Sequence, residues 1–228
     1  MTDRIVLNIP HSSPALPAGG SGWGSGIGAS VERWTDWCTD TIFTVRPEGG
    51  GTVVPVVFPW SRFHCDVERL EDDPLEKEGR GIVYTRFGDL VRDITAAEAA
   101  RIRSSLYDAH IGRLKAALTP SSFLVDCHSF PSDLSEVEIC IGVNDDWSRP
   151  DEELLARVTA LFRDAGYRTA LNEPYSNSMS PAMPFAYPSL MVEVNKAVYT
   201  TDGRTPSPEG MARLMGTVSA LYGLILCE

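Results

Sequence analysis

The chain of 228 residues carries 31 acidic and 20 basic side chains, which gives a net charge of −11 at pH 7 and an isoelectric point near 4.8. This charge argues against nucleic-acid binding, which requires a basic surface, and it opposes association with anionic membranes. Hydrophobic residues make up 43% of the chain and charged residues 22%, a balance typical of a folded globular protein. We therefore expect one domain spanning 1–228.

The amino-terminal sequence lacks a basic flank followed by a long apolar run, and no apolar stretch is long enough to span a bilayer. We therefore expect a cytoplasmic protein. The five cysteines are odd in number and lack CxxC spacing, so they indicate neither a disulfide framework nor a cysteine zinc site.

The first third of the chain predicts two strands and one helix. A short buried strand is predicted at 4–9, followed by a loop rich in Gly, Ser and Pro and a helix over 31–45. The apolar run 52–58 contains a proline, which predicts an edge or bulged strand. The charged segment 61–81 predicts an irregular, partly exposed stretch.

The rest of the chain alternates helices and strands. Thr95 and Glu98 have the spacing of a capping box before a helix over 95–118. The later predicted elements are strands at 121–130 and 137–143, a helix at 151–165, a strand at 167–171, a loop at 172–184, a strand at 189–195 and a helix at about 207–226. This alternation predicts an α/β three-layer sandwich with a mostly parallel mixed sheet, whose ligands bind beyond the carboxyl ends of the strands.

Two of the four histidines, His11 and His128, lie at the ends of apolar strands, and each is followed by serine. If these strands are parallel neighbours, both imidazoles project into one crevice. Neutral imidazole is the commonest protein ligand for zinc, and a catalytic zinc has three protein ligands and one open position. A carboxylate is the expected third ligand, and Glu32, Asp36 and Asp40 share one face of the predicted helix. Any one of the three carboxylates fits this pattern.

Glu193 is a carboxylate inside an otherwise apolar strand. An ionised carboxylate in a core is costly unless it is paired, so Glu193 is a candidate general base with a shifted pKa. The alternative is a buried salt bridge to an arginine or to the neighbourhood of Lys196.

Arg62 and Arg69 lie in the charged segment with Asp66 between them. A guanidinium group binds a carboxylate through two parallel hydrogen bonds, so both arginines are candidates for holding an anionic substrate. Surface ion pairs with the surrounding acids are the alternative. The other two histidines, His64 and His110, lack the strand-end pattern, and we expect His110 to pack inside a helix interface.

Taken in order, these pieces resemble the N-formylglutamate amidohydrolase family, which is distantly similar to zinc carboxypeptidases and has a phosphorylase/hydrolase-like α/β fold. The resemblance runs through nearly the whole chain, in the segments IPHSS (9–13), WTDWCTD (34–40), SRFHCDVER (61–69), LYDAH (106–110), LVDCHSF (124–130), ICIG (139–142), NEPYS (172–176) and VEVNKAVY (192–199).

The resemblance implies zinc, or another divalent transition metal, held by His11, His128 and Asp36, with Glu193 as the general base. It also implies a role for Asp126, two residues before His128, in orienting that imidazole or a neighbouring arginine. The substrate-binding residues that it implies are Arg62, Arg69, Asp66, Asn172 and Tyr175.

The implied reaction is hydrolysis of the amide bond of a small anionic N-acyl amino acid, such as N-formyl-L-glutamate. Two departures from the family pattern bear on the substrate: Glu68 stands where the family has Asn, and SNSMSP (176–181) replaces a glycine pair after NEPY. They leave two alternatives open: a non-catalytic protein of this fold that binds a metal or a small anion, and a zinc peptidase or cell-wall amidase.

Overall fold

The computed structural model describes residues 2–18 and 21–227. The strands, in chain order, are β1 (Arg4–Ile9), β2 (Thr52–Val57), β3 (Arg86–Phe87), β4 (Leu90–Val91), β5 (Ser122–Phe130), β6 (Ile139–Gly142), β7 (Thr169–Leu171) and β8 (Ser189–Asn195). The helices are α1 (Ile27–Trp34), α2 (Thr39–Phe43), α3 (Ala96–Ile102), α4 (Asp108–Ala117), α5 (Glu152–Asp164) and α6 (Pro208–Leu226). Across the described residues, no helix is long and apolar enough to cross a membrane.

Six strands form one sheet in the order β2-β1-β5-β8-β6-β7. All neighbours are parallel except β6, which runs antiparallel to β8. The predicted α/β fold with a mostly parallel mixed sheet is therefore confirmed. The proline-containing strand β2 lies at the sheet edge, as its sequence predicts. The short β3–β4 hairpin was not predicted from the sequence.

One face of the sheet is apolar and carries the main core. Val125 of β5 and Val192 of β8 belong to a cluster that includes Phe43 of α2, Phe162 of α5 and Leu221 of α6, all buried. Because side chains alternate along a strand, the residues between these apolar positions point to the opposite face. That opposite face carries the polar residues of the site.

The opposite face is apolar only at one end. There, Val6 of β1 and Leu124 of β5 pack with Leu114 of α4. Nearer the carboxyl ends of β1, β5 and β8, the same face carries buried Asn8, Asp126, His128 and Glu193. Strand alternation thus gathers polar side chains from three neighbouring strands onto one surface.

The helix predicted over 31–45 is two helices, α1 and α2, with a break between them. At the break, the hydroxyl of Thr35 donates to the carbonyl of Val31 at 2.7 Å, and Cys38 adopts a left-handed backbone with φ of 63°. The backbone N–H of Asp36 donates to the carbonyl of His11 at 2.9 Å. The break therefore fastens Asp36 to the end of β1.

The helix predicted over 95–118 begins with the expected capping box, in which the Thr95 side chain and the Glu98 side chain each bond the other residue's backbone. It is interrupted by a π-helical turn at Arg103–Tyr107, which separates α3 from α4. α4 then presents Leu114 and His110 to the sheet.

Gly142, at the end of β6, is expected to tolerate no side chain. A Cβ at this position lies 2.4 Å from both the carbonyl oxygen of Asn177 and the Cε of Met191. We expect Gly142→Ala to lower the free energy of unfolding by roughly 1–3 kcal/mol, measured by urea unfolding. The matched control is Gly112→Ala in α4, where no atom beyond the adjacent residues and the backbone of the helix itself lies within 4 Å of the added Cβ. We expect it to raise stability by about 0.5–1 kcal/mol, and equal effects of the two variants would contradict the tight contact.

Candidate active site

The two histidines meet at the carboxyl ends of the neighbouring parallel strands β1 and β5. Their ring centroids are 5.3 Å apart, and each residue is 1% exposed. Asp36 Oδ2 lies 3.3 Å from His128 Nδ1 and 3.8 Å from His11 Nδ1. The structure thus brings together the three residues that the resemblance implies as metal ligands.

The other two acids considered for the third ligand lie elsewhere. Glu32 is exposed and accepts two hydrogen bonds of 3.1 Å from Arg204. Asp40 is exposed, and one of its oxygens accepts from the backbone N–H of Thr41. Of the three acids, only Asp36 faces the histidines.

Glu68 is a further candidate for the site. From the sequence it was noted only as a departure from the family pattern, where the family has Asn. Its carboxylate oxygens lie 3.6 Å from His11 Nδ1 and 3.3 Å from His128 Nε2. His11, Glu68 and His128 form a group whose ligand atoms all lie within 4.8 Å of one another. In the sequence, Glu68 is recognisable only as an acid next to Arg69. Because this segment is a loop, its sequence position does not determine where the side chain points.

The Nε2 atom of each histidine faces a second carboxylate. His11 Nε2 and Asp66 Oδ1 form a hydrogen bond of 2.8 Å, and His128 Nε2 lies 3.0 Å from Asp126 Oδ1. Asp66 also accepts a 2.5 Å hydrogen bond from the Tyr84 hydroxyl. Burial raises the pKa of Asp66, but His11 and the arginines outweigh burial and hold its pKa well below the usual range. Asp66 is therefore a partner of His11 in this structure.

Behind Asp126 lies a buried relay of hydrogen bonds. Asn8 Nδ2 donates to Asp126 Oδ1 at 2.8 Å, and the backbone N–H of Met179 donates to Asp126 Oδ2 at 2.8 Å. His110 Nε2 lies 2.8 Å from Asn8 Oδ1, so that nitrogen must carry the proton. Burial lowers the pKa of His110 to about 3, which keeps the ring neutral. His110 also packs against the ring of Phe58, with centroids 5.4 Å apart.

Both arginines predicted to bind substrate are paired with carboxylates. Arg62 Nη2 contacts His11 Nδ1 and lies 3.7 Å from Asp36 Oδ1. Arg69 lies farther back, with Nε 3.4 Å from Asp66 Oδ2 and Nη1 3.4 Å from Asp73 Oδ2. The structure therefore brings Arg62, but not Arg69, into contact with the histidines.

Glu193 lies opposite His128 in the β5–β8 register and is 8% exposed. Burial raises the pKa of Glu193 to about 8. Within the described part of the chain, Glu193 forms no ion pair shorter than 4.0 Å, and its Oε2 has no hydrogen-bond partner. Lys196 instead donates to the backbone carbonyl of Arg33 at 2.6 Å.

The two predicted substrate-binding residues of the NEPYS segment have different surroundings. Tyr175 is half-buried and packs edge-on against Phe130, with centroids 5.8 Å apart. Burial, followed by the nearby Glu193 carboxylate, raises the pKa of Tyr175 to about 12. Asn172 is exposed, and its side-chain oxygen accepts from the backbone N–H of Val143 at 2.8 Å. Tyr175 thus lies near Glu193, whereas Asn172 fastens the loop to the end of β6.

The residues at the histidine pair fit a divalent metal. Among the described residues, Asp36 Oδ2 is a buried carboxylate oxygen without a hydrogen-bond partner, and it faces both Nδ1 atoms. Imidazole nitrogens and one carboxylate are the donor set of many zinc sites. Carboxylates on the far nitrogens, here Asp66 and Asp126, are the usual means of orienting such ligands.

The histidines and carboxylates thus form a buried polar site, with the donor groups of a hydrolase, at the carboxyl ends of parallel strands in an α/β fold. The sequence model of the N-formylglutamate amidohydrolase family matches residues 3–200, and the chain belongs to that family of amidohydrolases. The resemblance drawn from the sequence motifs is therefore confirmed.

Two solved structures share the fold. The crystal structure of an N-formylglutamate amidohydrolase from Ralstonia eutropha JMP134 is similar over 99% of this chain and 92% of that chain, with a TM-score of 0.75 and 21% identity. The structure of a gene product of Agrobacterium tumefaciens is similar over 99% of this chain and 91% of that chain, with a TM-score of 0.68 and 19% identity. A search of curated proteins returned no significant match.

The buried relay predicts how stability depends on pH. Because the pKa of His110 falls from 6.5 to about 3 on folding, the unfolded chain binds more protons than the folded protein between these values. The contribution of neutral His110 is therefore complete above pH 6.5 and declines below it by up to about 1.4 kcal/mol per pH unit. Gln at this position keeps an N–H donor and cannot titrate. We expect the stability advantage of the native protein over His110→Gln to shrink from pH 7 to pH 5, measured by urea unfolding, and an unchanged difference would contradict a neutral buried ring.

Proposed function

We propose that this protein is a metal-dependent hydrolase that cleaves the amide bond of an N-acyl amino acid, with N-formyl-L-glutamate as the family's example. The observation that carries the proposal is the unpartnered, buried Asp36 Oδ2 between the Nδ1 atoms of His11 and His128. Membership of an amidohydrolase family supports the reaction class.

The proposed metal ligands are His11, His128 and Asp36. This set is favoured because each histidine then has its other nitrogen beside a carboxylate, Asp66 or Asp126, which fixes the ring. Glu68 is the alternative carboxylate, since its oxygens also approach both rings. Zinc or a similar divalent ion, when bound, supplies a Lewis acid for the amide carbonyl and lowers the pKa of water.

Glu193 is proposed to act as the general base. Its buried carboxyl group has a pKa near 8, so it can both accept and donate a proton near neutral pH. Oε2, which has no hydrogen-bond partner among the described residues, would take a proton from the attacking water and pass it to the leaving nitrogen. This transfer completes the cleavage into a carboxylic acid and a free amine.

Arg62 is proposed to bind the oxygens of the substrate, because it is the guanidinium group nearest the histidines. Tyr175, beside Glu193, would line the same space. Arg69 and Asp66 would not touch the substrate. Asp66 would hold the imidazole of His11, and both residues would hold the Tyr84 hydroxyl. Asn172 would position the loop that carries Tyr175.

Replacing Glu193 by Gln tests the proposed base. The change is isosteric and removes the proton acceptor, so we expect kcat for an N-formyl amino acid to fall by about 100-fold or more. Metal content, measured by elemental analysis, should stay unchanged. Glu209→Gln, at an exposed position in the first turn of α6, is the matched control and should keep full activity. Equal activity of Glu193→Gln and the native protein would refute the assignment.

Replacing Asp36 by Asn tests the proposed ligand set. We expect zinc affinity, measured by calorimetry, to fall by more than about tenfold because an amide oxygen is a poor zinc ligand. Asp40→Asn is the matched control, since Asp40 is exposed four residues along the chain. If Asp36→Asn binds zinc normally and Glu68→Gln does not, Glu68 is the carboxylate ligand. If neither the native protein nor a zinc-loaded sample hydrolyses any N-acyl amino acid, the proposed function fails.

A further inference from the structure

A cavity of about 260 Å³ shares the residue Glu68 with the histidine site. Glu68 lines this cavity and also places its two carboxylate oxygens within 3.6 Å of the imidazoles. The cavity is therefore adjacent to the position where the amide bond is proposed to react. Its other walls come from the segment after β6 and from the SNSMSP loop, which includes Ser178.

The walls of the cavity are acidic. Three carboxylate residues line it, Glu68, Asp73 and Asp146, and no Lys or Arg is among its described lining residues. Arg69 contacts one of these carboxylates, Asp73, and is shared with Asp66. The cavity thus has an excess of negative charge, in a protein whose net charge is −11.

The part of the wall formed by the SNSMSP loop is hydrogen-bonded to the side-chain amide of Asn144. Asn144 Nδ2 donates to the Ser178 carbonyl and to Ser180 Oγ, both at 3.1 Å, and Asn144 Oδ1 accepts from the Ser178 N–H at 3.0 Å. The Asn144 amide is therefore occupied by the loop. Asn177 supplies a second amide to the lining, whereas the surrounding carboxylates only accept hydrogen bonds.

The site around the histidine pair is also rich in carboxyl groups. Asp36, Asp66, Glu68, Asp126 and Glu193 are five carboxyl groups, and Arg62 and Arg69 are the two guanidinium groups paired among them. Two guanidinium groups and a bound divalent ion would supply four positive charges, which these carboxyl groups already balance, so no further cation is available for a second substrate carboxylate. A second carboxylate, on the side chain of a glutamate, would lie against acidic walls without a cation, which is unfavourable in a partly desolvated cavity.

We propose that this cavity holds the amino-acid side chain of the substrate and selects an uncharged or cationic side chain with N–H donors, as in N-formyl-L-glutamine, over the carboxylate of N-formyl-L-glutamate. This inference rests on the proposed function and narrows its substrate. Glutamine and glutamate have nearly the same shape, so a difference between them reports polarity and charge alone.

The test compares kcat/KM of the zinc-loaded protein for N-formyl-L-glutamine and N-formyl-L-glutamate. We expect at least about a tenfold preference for the glutamine derivative, weaker at high salt because the repulsion is screened. Equal rates, or a preference for the glutamate derivative, would overturn the inference and leave the proposed function standing. If a wide panel of N-acyl amino acids shows no hydrolysis, the proposed function fails and this inference fails with it.

Asp146→Asn tests whether the cavity causes the preference. Asp146 Oδ1 accepts from the Ser148 N–H and hydroxyl, and Asn keeps that oxygen, so the fold should be preserved; thermal unfolding checks this. We expect kcat/KM for the glutamate derivative to rise about threefold or more, with little change for the glutamine derivative. The matched control is Asp145→Asn, because Asp145 is exposed and does not line the cavity. If Asp146→Asn and Asp145→Asn change the preference equally, the side chain binds elsewhere and the placement is wrong.

Discussion

Pairing of buried charge is the constraint on which this structure depends. Asp36, Asp66 and Asp126 are almost completely buried, and each lies against an imidazole of the central pair. A buried carboxylate is costly unless it is paired and hydrogen-bonded. The Tyr84 hydroxyl bonds Asp66, the Asn8 amide bonds Asp126, and the break between α1 and α2 fastens the backbone of Asp36 to the end of β1. The histidine pair is thus held by elements from distant parts of the chain.

The sheet could be predicted well from the sequence because each strand is marked by a local run of apolar residues. Apolar runs in β1, β5 and β8 predict buried strands, and their parallel order follows from the alternation with helices. The approach of His11 and His128 follows from two strand ends. The placement of Glu193 is also a matter of alternation, since one residue of shift would move it to the apolar face.

The sequence could not predict the parts of the site that loops provide. The position of Glu68 depends on the irregular path of the charged segment, and no periodicity fixes a loop side chain. The helix break at Thr35 depends on its hydroxyl bonding Val31 and on Asp36 bonding the His11 carbonyl, which is a contact across 25 residues. The sequence likewise offered Arg62 and Arg69 as substrate-binding groups, but it did not show that both are paired with buried acids.

The hydrogen bonds of Asn144 attach a loop to a site whose histidines and Glu193 lie on strands or at strand ends. The groups proposed to carry out hydrolysis are borne mainly by strands or bonded to strand ends, where a substitution disturbs the core. The SNSMSP segment is attached to the sheet through a few polar contacts, chiefly Asn144 and the Met179 N–H. Because the Met179 N–H also bonds Asp126, which faces His128, an insertion beside Met179 would disturb the histidine pair, whereas a side-chain substitution that keeps this N–H in place would not. Side-chain substitutions in this one loop can therefore alter the surface that a ligand meets while the groups on the strands keep their positions.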